Sequence, residues 1–125
     1  MKPTSKRKTA SRDLIPVSTP GEILFAQFLE KLRSTPDGDG TLLDHSMIVY
    51  GAGMADSDGH IHHDVPVVVA GGGAGTLESG RHLRVGSESK ETPLTNLHLT
   101  LLDKMGIPAE KLGDSTGAVA LIGGI

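Results

Sequence analysis

The stretch that decides the fold runs from Leu42 to Gly75 and reads LLDHSMIVYGAGMADSDGHIHHDVPVVVAGGGAG. It contains two short apolar runs, residues 46–50 and 65–70, each followed directly by glycine. Neither run alternates between apolar and polar residues, which is typical of strands covered on both faces of a sheet in α/β proteins. The sequence therefore predicts two buried strands joined by a polar loop.

The loop between these strands, residues 51–64, is called the histidine loop below. Six residues with metal-ligating side chains lie within nine positions of it: Asp56, Asp58, His60, His62, His63 and Asp64. Imidazole nitrogen and carboxylate oxygen together suit zinc, iron or manganese. In extended backbone His60 and His62 point to the same side, so both could reach one ion.

We therefore predict a divalent metal site, zinc or manganese, formed by His60, His62, His63 and Asp58. Binding of an anion by the same loop is a related prediction. The alternative is that these are exposed loop residues, or that one histidine caps a backbone carbonyl.

Two helices are predicted beside the strands. The first begins at Pro20 after a Thr19 cap and ends at Ser34-Thr35-Pro36. Its apolar stripe contains Leu24, Phe25, Phe28, Leu29 and Leu32. The second begins at Pro93 after a Thr92 cap and ends before Gly106. Its apolar face is predicted to contain Leu94, Leu97, Leu101, Leu102 and Met105.

Three stretches resemble motifs that suggest chemistry, but each fails on its details. The glycine loop, residues 71–80, has Thr76 where a dinucleotide-binding loop needs its third glycine, and Arg81-His82 where a P-loop needs Lys and Ser/Thr. Ser115 lies in a G-x-S-x-G pattern without the downstream acid and histidine of a hydrolase. The turn 37–40 lacks the glycine and glutamate of a calcium loop, which excludes that site.

Arg81 to Val85 is predicted to be a short strand. Its cationic residues could face an anionic ligand or line a solvated edge: Arg81, His82 and Arg84. His45 and His98 both lie in apolar stretches of the sequence, and His98, between Leu97 and Leu99 on the second helix, is predicted to be a partly buried structural histidine. Residues 109–125 are predicted to be irregular, apart from a short apolar piece at 119–122.

Charge divides the chain into a basic tail, residues 1–19, and a domain, residues 20–125. The first twelve residues contain five basic residues and no acidic one. Since the net charge of the whole chain is −3, residues 13–125 carry a net charge of −8. A basic arm could bind an anionic partner, but the proline, serine and threonine around these charges favour a disordered, solvated tail.

Composition narrows the classes of function. Phe25, Phe28 and Tyr50 are the only aromatic residues, which counts against base stacking, so we expect no nucleic-acid partner. The chain has no cysteine, which excludes disulfides and thiolate sites. No apolar run reaches the ~20 residues of a membrane span. The basic N-terminus is followed by no apolar stretch, so we expect no signal peptide in this sequence.

From Phe28 onward the chain resembles the C-terminal part of a bacterial domain-of-unknown-function family, the one numbered 1552. The resemblance lies in these segments: FLEKL, TPDGDGTLLDHSMIVYGAGM, GHIHHDVPVVVAGGGAGTL, SGRHLRV, ETPLTNLHLTLLDKMG and KLGDSTG. Members are several times longer and usually exported to the periplasm or cell envelope. Their fold is similar to that of the alkaline phosphatase and sulfatase superfamily, an α/β sandwich with metal ions at the strand ends.

This resemblance implies a partial α/β sandwich, a few-stranded sheet flanked by two helices. It also implies that a histidine before the D-V-P-V segment, His60, His62 or His63, is a metal ligand. The nucleophile of similar enzymes follows an earlier strand outside the matched part, so we expect this chain alone to be inactive. The two hypotheses are a portion of a metal-dependent phosphate or sulfate ester hydrolase, and a non-catalytic metal- or anion-binding module. Self-association through exposed sheet edges is expected in either case.

Overall fold

The computed structural model describes residues 20–56, 58–86 and 91–119. It is a mixed α/β structure with two helices and two small two-stranded antiparallel sheets. The predicted tail, residues 1–19, with its Thr19 cap, lies outside the described residues, as do residues 120–122 of the predicted apolar piece.

Helix α1 covers Pro20–Ser34, as the sequence predicted. Pro20 suits the first helical position because its φ is fixed near the helical value. Lys31 and Arg33 in the last turn interact favourably with the negative C-terminal end of the helix dipole. The Thr35 hydroxyl donates to the Lys31 carbonyl at 2.6 Å and thereby satisfies a C-terminal acceptor. Pro36 then prevents continuation of the helix.

A tight hairpin and turn follow, residues 36–46, called the anchored turn below. Strand β1 (Pro36–Asp37) pairs with strand β2 (Gly40–Thr41), in the register Pro36↔Thr41 and Asp37↔Gly40. Gly38 takes a φ of +59°, which glycine adopts without steric cost. The amide of Leu43 donates to the Leu32 carbonyl at 3.3 Å, so the turn is tied to the end of α1.

The two predicted apolar strands form the second sheet, but it is less buried than predicted. Strand β3 (Ile48–Gly51) pairs with strand β4 (Val67–Ala70) in antiparallel register, Ile48 opposite Ala70 and Gly51 opposite Val67. The side chains of Val49, Tyr50 and Val68 are exposed. A sheet of two strands has few layers to cover it, so the prediction of a sheet covered on both faces is wrong for the described chain.

Phe25 of α1 stacks on Tyr50 of β3, with ring centroids 4.3 Å apart and planes 11° from parallel.

The glycine loop then begins with Gly71 at φ +104° and includes a short 3-10 turn, Gly73–Gly75. Residues 81–85 form no strand, contrary to the prediction, because a strand requires a neighbour to pair with and none of the described strands lies beside them.

Helix α2 covers Thr95–Lys104, two residues later than predicted at its start. The amides of Asn96 and Leu97 donate to the carbonyls three residues before them, each at 3.0 Å, so the predicted first turn is a 3-10-type turn and Thr92 is not the cap. At the other end Gly106 takes a φ of +79°, and Ile107 donates to Leu102 at 3.0 Å, which completes a Schellman motif.

The buried face of α2 is rotated from the predicted one by roughly a third of a turn, at 100° per residue. The buried residues are Asn96, Leu97, Leu99, Thr100 and Leu101. Leu94 and Met105, which the apolar stripe placed inside, are exposed. The reason is that the following segment, residues 112–119, packs on the side of the helix that carries Asn96 and Thr100.

Polar side chains hold that segment to the helix. Asn96 accepts from the Thr116 amide at 2.8 Å and donates to the Thr116 hydroxyl at 3.1 Å. The buried Thr100 hydroxyl accepts from the Val119 amide at 2.7 Å. These bonds satisfy backbone groups of an irregular segment, including the buried Val119 amide, which would otherwise destabilise the fold. The small core at this contact consists of Leu97, Leu99, Leu101 and Val119.

Candidate functional site

The histidine loop is held together by one short backbone bridge. The Ala55 amide donates to the Ile61 carbonyl at 2.8 Å, and the Ile61 amide donates to the Asp56 carbonyl at 3.0 Å. The carboxylate of Asp56 accepts from the amides of Asp58 and Gly59 at 3.0 and 3.2 Å. Asp56 therefore stabilises the turn that presents the histidines.

The three histidines of the loop lie in three different local environments. His60 has a φ of +51°, so the backbone here is a turn and not the extended chain that would align His60 with His62. The His62 Nδ1 lies 3.2 Å from the Gly53 carbonyl, which matches the alternative of a histidine capping a backbone carbonyl. The His63 Nδ1 lies 2.8 Å from Glu91 Oε1, and both side chains are exposed.

The loop does not gather its ligands around one point. Across residues 20–56, 58–86 and 91–119, no group of three or more histidine, aspartate or glutamate side chains is arranged to hold a metal ion. Chemically, the loop as it stands offers separate imidazoles and carboxylates at the surface. The metal site at Asp58, His60, His62 and His63 stays a prediction.

The anchored turn contains a histidine site that the sequence analysis missed. The His45 Nδ1 lies 2.8 Å from Asp37 Oδ2, and its Nε2 lies 3.1 Å from Asp39 Oδ1. The hydrogen bond with Asp37 raises the pKa of His45 above its ordinary value, partial burial opposes this, and the negative charges of Asp37 and Asp39 add to the increase.

The sequence pattern placed His45 only among apolar neighbours, whereas its ring lies between two carboxylates. The signal was present in the sequence. The hairpin sequence Asp37-Gly38-Asp39-Gly40 ends five residues before His45 and folds both aspartates back onto it.

Asp44 organises the same turn. Its carboxylate accepts from the Thr41 amide at 2.8 Å and from the Thr41 hydroxyl at 3.0 Å. These bonds, the backbone one first, lower the pKa of the Asp44 carboxyl below its ordinary value. The Thr41 hydroxyl in turn accepts from the Asp44 amide at 3.2 Å, which makes the arrangement reciprocal, like a capping box.

An open cleft of about 510 Å³ lies beside the anchored turn. Its walls are mostly apolar and are contributed by Phe28, Leu32, Met47, Ile48 and Met105. His45 and Lys104 are the ionisable residues that line it. The Lys104 ammonium donates to the Thr76 carbonyl at 2.8 Å, so this cation is used to fix the glycine loop.

The amides of residues 72–77 in the glycine loop are already bonded within the protein. Those of Gly72, Gly73 and Ala74 donate to the carbonyls of Leu43, Ser46 and Asp44, at 3.0, 3.0 and 2.9 Å. Phosphate cradles need amides that point at the ligand, and these point at the anchored turn. The loop is therefore a clasp that holds β4 to residues 43–46, in agreement with the failure of the phosphate-binding patterns.

The remaining motif residues have structural contacts. Ser115 is buried, and its hydroxyl accepts from the Leu112 amide at 2.8 Å, so this serine closes a turn. Arg81 pairs with Glu78 at 3.1 Å on an exposed stretch. His98 is half-buried on α2, as expected for a structural histidine.

Neither helix of the described chain is long and apolar enough to cross a membrane. No family model matches the sequence, and neither a curated protein nor a solved structure matches it. The resemblance to the family numbered 1552 therefore stays a prediction that rests on the segments quoted above.

Proposed function

We propose that this chain is the C-terminal portion of an α/β domain of the alkaline phosphatase type, and that it serves that domain as a structural segment without a complete catalytic centre of its own. The larger domain would hydrolyse phosphate or sulfate esters with the help of divalent metal ions. The observation that carries the proposal is the amount of apolar surface that the described chain leaves uncovered.

Both helices carry large apolar side chains that the described chain leaves exposed. No residue of α1 is buried, and Leu24 on its stripe is 65% exposed. On α2 the stripe formed by Leu94 and Met105 points away from the core, and Met105 is 63% exposed. Helices with such stripes are normally packed against another layer of the domain.

The energetic scale of this surface is large for a chain of this size. Covering one large apolar side chain contributes about 1.5–3 kcal/mol. Covering the exposed stripes of both helices would therefore be comparable with the entire stability of a small domain, about 5–15 kcal/mol. Further polypeptide of the same domain is the occupant that the resemblance supports, and a second copy of the chain is the competing occupant.

The described residues also favour a segment without chemistry of its own. Phosphoryl or sulfuryl transfer needs an activated attacking group together with a Lewis acid. Ser115 is bonded inside a turn, and the side chains of the histidine loop are separated from one another. We therefore expect no turnover of p-nitrophenyl phosphate or p-nitrophenyl sulfate by the purified chain, with or without zinc or manganese.

Light scattering together with binding of an apolar fluorescent dye tests the structural role. We expect the chain to bind the dye and to self-associate. The double variant Leu24→Glu, Phe28→Glu should bind less dye and self-associate less. Gln27→Glu adds charge to the same helix and is the matched control, which we expect to behave like the original chain. A folded, monomeric chain that binds no dye would contradict the proposal, and hydrolysis of either ester would contradict the lack of a catalytic centre.

A second candidate is a metal- or anion-binding module built on the histidine loop. One observation favours it: within the described part of the chain, the His60 ring and the Asp58 carboxylate make no hydrogen bond to another side chain or to backbone, so neither needs to break one to bind a ligand. Calorimetric titration with zinc and with manganese tests this role. We expect micromolar binding that is lost in the triple variant His60→Ala, His62→Ala, His63→Ala and kept in the control His98→Gln.

A folded chain that binds neither metal would overturn metal binding by the histidine loop and leave the structural role standing. Binding that survives the triple variant would place the metal elsewhere in the molecule.

A further inference from the structure

The ring of His45 is held between two carboxylates in a way that only one protonation state satisfies. Its Nδ1 faces Asp37 at 2.8 Å and its Nε2 faces Asp39 at 3.1 Å. An ionised carboxylate only accepts hydrogen bonds, so both ring nitrogens must carry a proton. Neutral imidazole has one N–H, and its other nitrogen would direct a lone pair at a carboxylate.

This cluster lies where several elements meet. Asp37 and Asp39 belong to the hairpin of β1 and β2, while His45 lies at the end of the turn that accepts the amides of the glycine loop. His45 also lines the apolar cleft with Phe28 and Leu32 of α1. A change in these two contacts therefore acts on the position of the hairpin tip relative to His45.

We propose that Asp37, His45 and Asp39 form a proton-operated latch that holds the tip of the β1–β2 hairpin against His45 when the imidazole is protonated and releases the hairpin tip when it is neutral. Asp39 is the contact that opens, because its side chain is 95% exposed and water replaces the imidazole at little cost. Asp37, nearer to the ring and less exposed, keeps the remaining N–H of the neutral ring. The latch is independent of the proposed function.

The other groups around His45 leave the direction of this response unchanged. Asp44 adds a further negative charge next to it in the chain and favours the protonated ring. Lys104 of α2 lines the same cleft, but its ammonium is bonded to the Thr76 carbonyl. From α1 and the glycine loop, the residues lining the cleft are uncharged: Phe28, Leu32, Gly73 and Ala74.

The sign of the pH dependence follows from linkage. The pKa of His45 is higher in the folded than in the unfolded chain, so its contribution to stability is complete below the ordinary histidine pKa and is lost as the pH rises through the raised value. The latch is thus closed in mildly acidic solution and opens toward alkaline pH.

Nuclear magnetic resonance of the ring protons of His45 during a pH titration tests the latch, with the amide signals of Gly38 and Gly40 followed in the same samples. We expect His45 to titrate above a histidine in an unfolded peptide, and the two glycine amides to shift with the same midpoint. In Asp37→Asn the midpoint should fall. In Asp39→Asn the pH-dependent shift of the Gly38 and Gly40 amide signals should become much smaller. The titration midpoint of His45 should fall less markedly.

His45→Gln should abolish the pH response of the glycine amides, and the control His98→Gln should preserve it. If His45→Gln does not fold, the Asp39→Asn variant alone tests the latch. The exposed Asp39 side chain can be replaced without disturbing packing. An ordinary midpoint for His45, or glycine amides that do not follow it, would overturn the proposal.

Discussion

The anchored turn and the histidine loop contain the same kinds of residues, yet the fold holds them very differently. In the anchored turn, the carbonyls of Leu43, Asp44 and Ser46 accept amides from the glycine loop, and its side chains bond to one another. The histidine loop has one backbone bridge and an exposed aspartate turn. The loop with more histidines is thus the less organised one, so residue density alone is a poor guide to a preformed site.

The largest expected effect concerns the clasp between the anchored turn and the glycine loop. In Gly71→Ala the new Cβ would lie 2.1 Å from the Ser46 carbonyl oxygen, and the residue would keep a φ of +104°. Since backbone must move to relieve this contact, we expect a loss of about 3 kcal/mol or more in the free energy of unfolding. Urea denaturation followed by circular dichroism measures it.

Gly75→Ala is the matched control for that substitution. Gly75 also has a positive φ, +88°, but its added Cβ would meet nothing within 4 Å. It should therefore cost only about 1–2 kcal/mol, the price of a left-handed L-residue. Equal losses in the two variants would show that conformational strain, not the clasp, dominates at Gly71.

An intermediate effect is expected from the aspartates that organise the two regions. Asp44→Ala removes the acceptor of the Thr41 amide and hydroxyl, whereas Asp56→Ala removes the acceptor of two amides in an exposed turn. We expect the urea midpoint to fall more for Asp44→Ala. A larger fall for Asp56→Ala would mean that its aspartate stabilises the histidine loop more than Asp44 stabilises the anchored turn.

The effect of Asp44 should also depend on pH. Because the folded-state pKa of this carboxyl is lowered, its contribution is present above the ordinary pKa of aspartate, about 4, and is lost as the pH falls below that value. The difference between the original chain and Asp44→Ala should therefore shrink in acid. A difference that is constant from neutral to strongly acidic pH would contradict the role of the charged form.

The smallest effect is expected in the histidine loop. His62→Ala removes a contact of 3.2 Å with the Gly53 carbonyl on an exposed loop. We expect a change within about 0.5 kcal/mol, as for other surface substitutions. Thermal unfolding measures this change, and a clear destabilisation would mean that the loop is anchored more firmly than its hydrogen bonds indicate.

Local signals in the sequence predicted much of the fold. Pro20 and the Ser34-Thr35-Pro36 stop gave the bounds of α1, and the β-branched runs gave the positions of β3 and β4. The face of α2 was predicted only in part, because its orientation depends on hydrogen bonds that Asn96 and Thr100 accept from a segment about twenty residues away. Periodicity contains no information about such contacts.

The site was harder to predict than the fold. The histidine loop was noticed for its composition, whereas the environment of His45 arises when a two-residue turn folds Asp37 and Asp39 back on it. That approach depends on the hairpin register and the positive φ of Gly38. Ligand-like spacing can be read from a sequence, but the direction of a side chain after a turn depends on backbone angles.

The stack of Phe25 on Tyr50 gives the protein a built-in optical reporter. Tyr50 is the only tyrosine, and the chain has no tryptophan, so ultraviolet emission and near-ultraviolet circular dichroism come chiefly from one ring. That ring is packed against α1 at 4.3 Å. Tyrosine signals will therefore follow the docking of α1 on β3 without any introduced label, and comparison with far-ultraviolet signals will show whether the helix leaves the sheet before the secondary structure is lost.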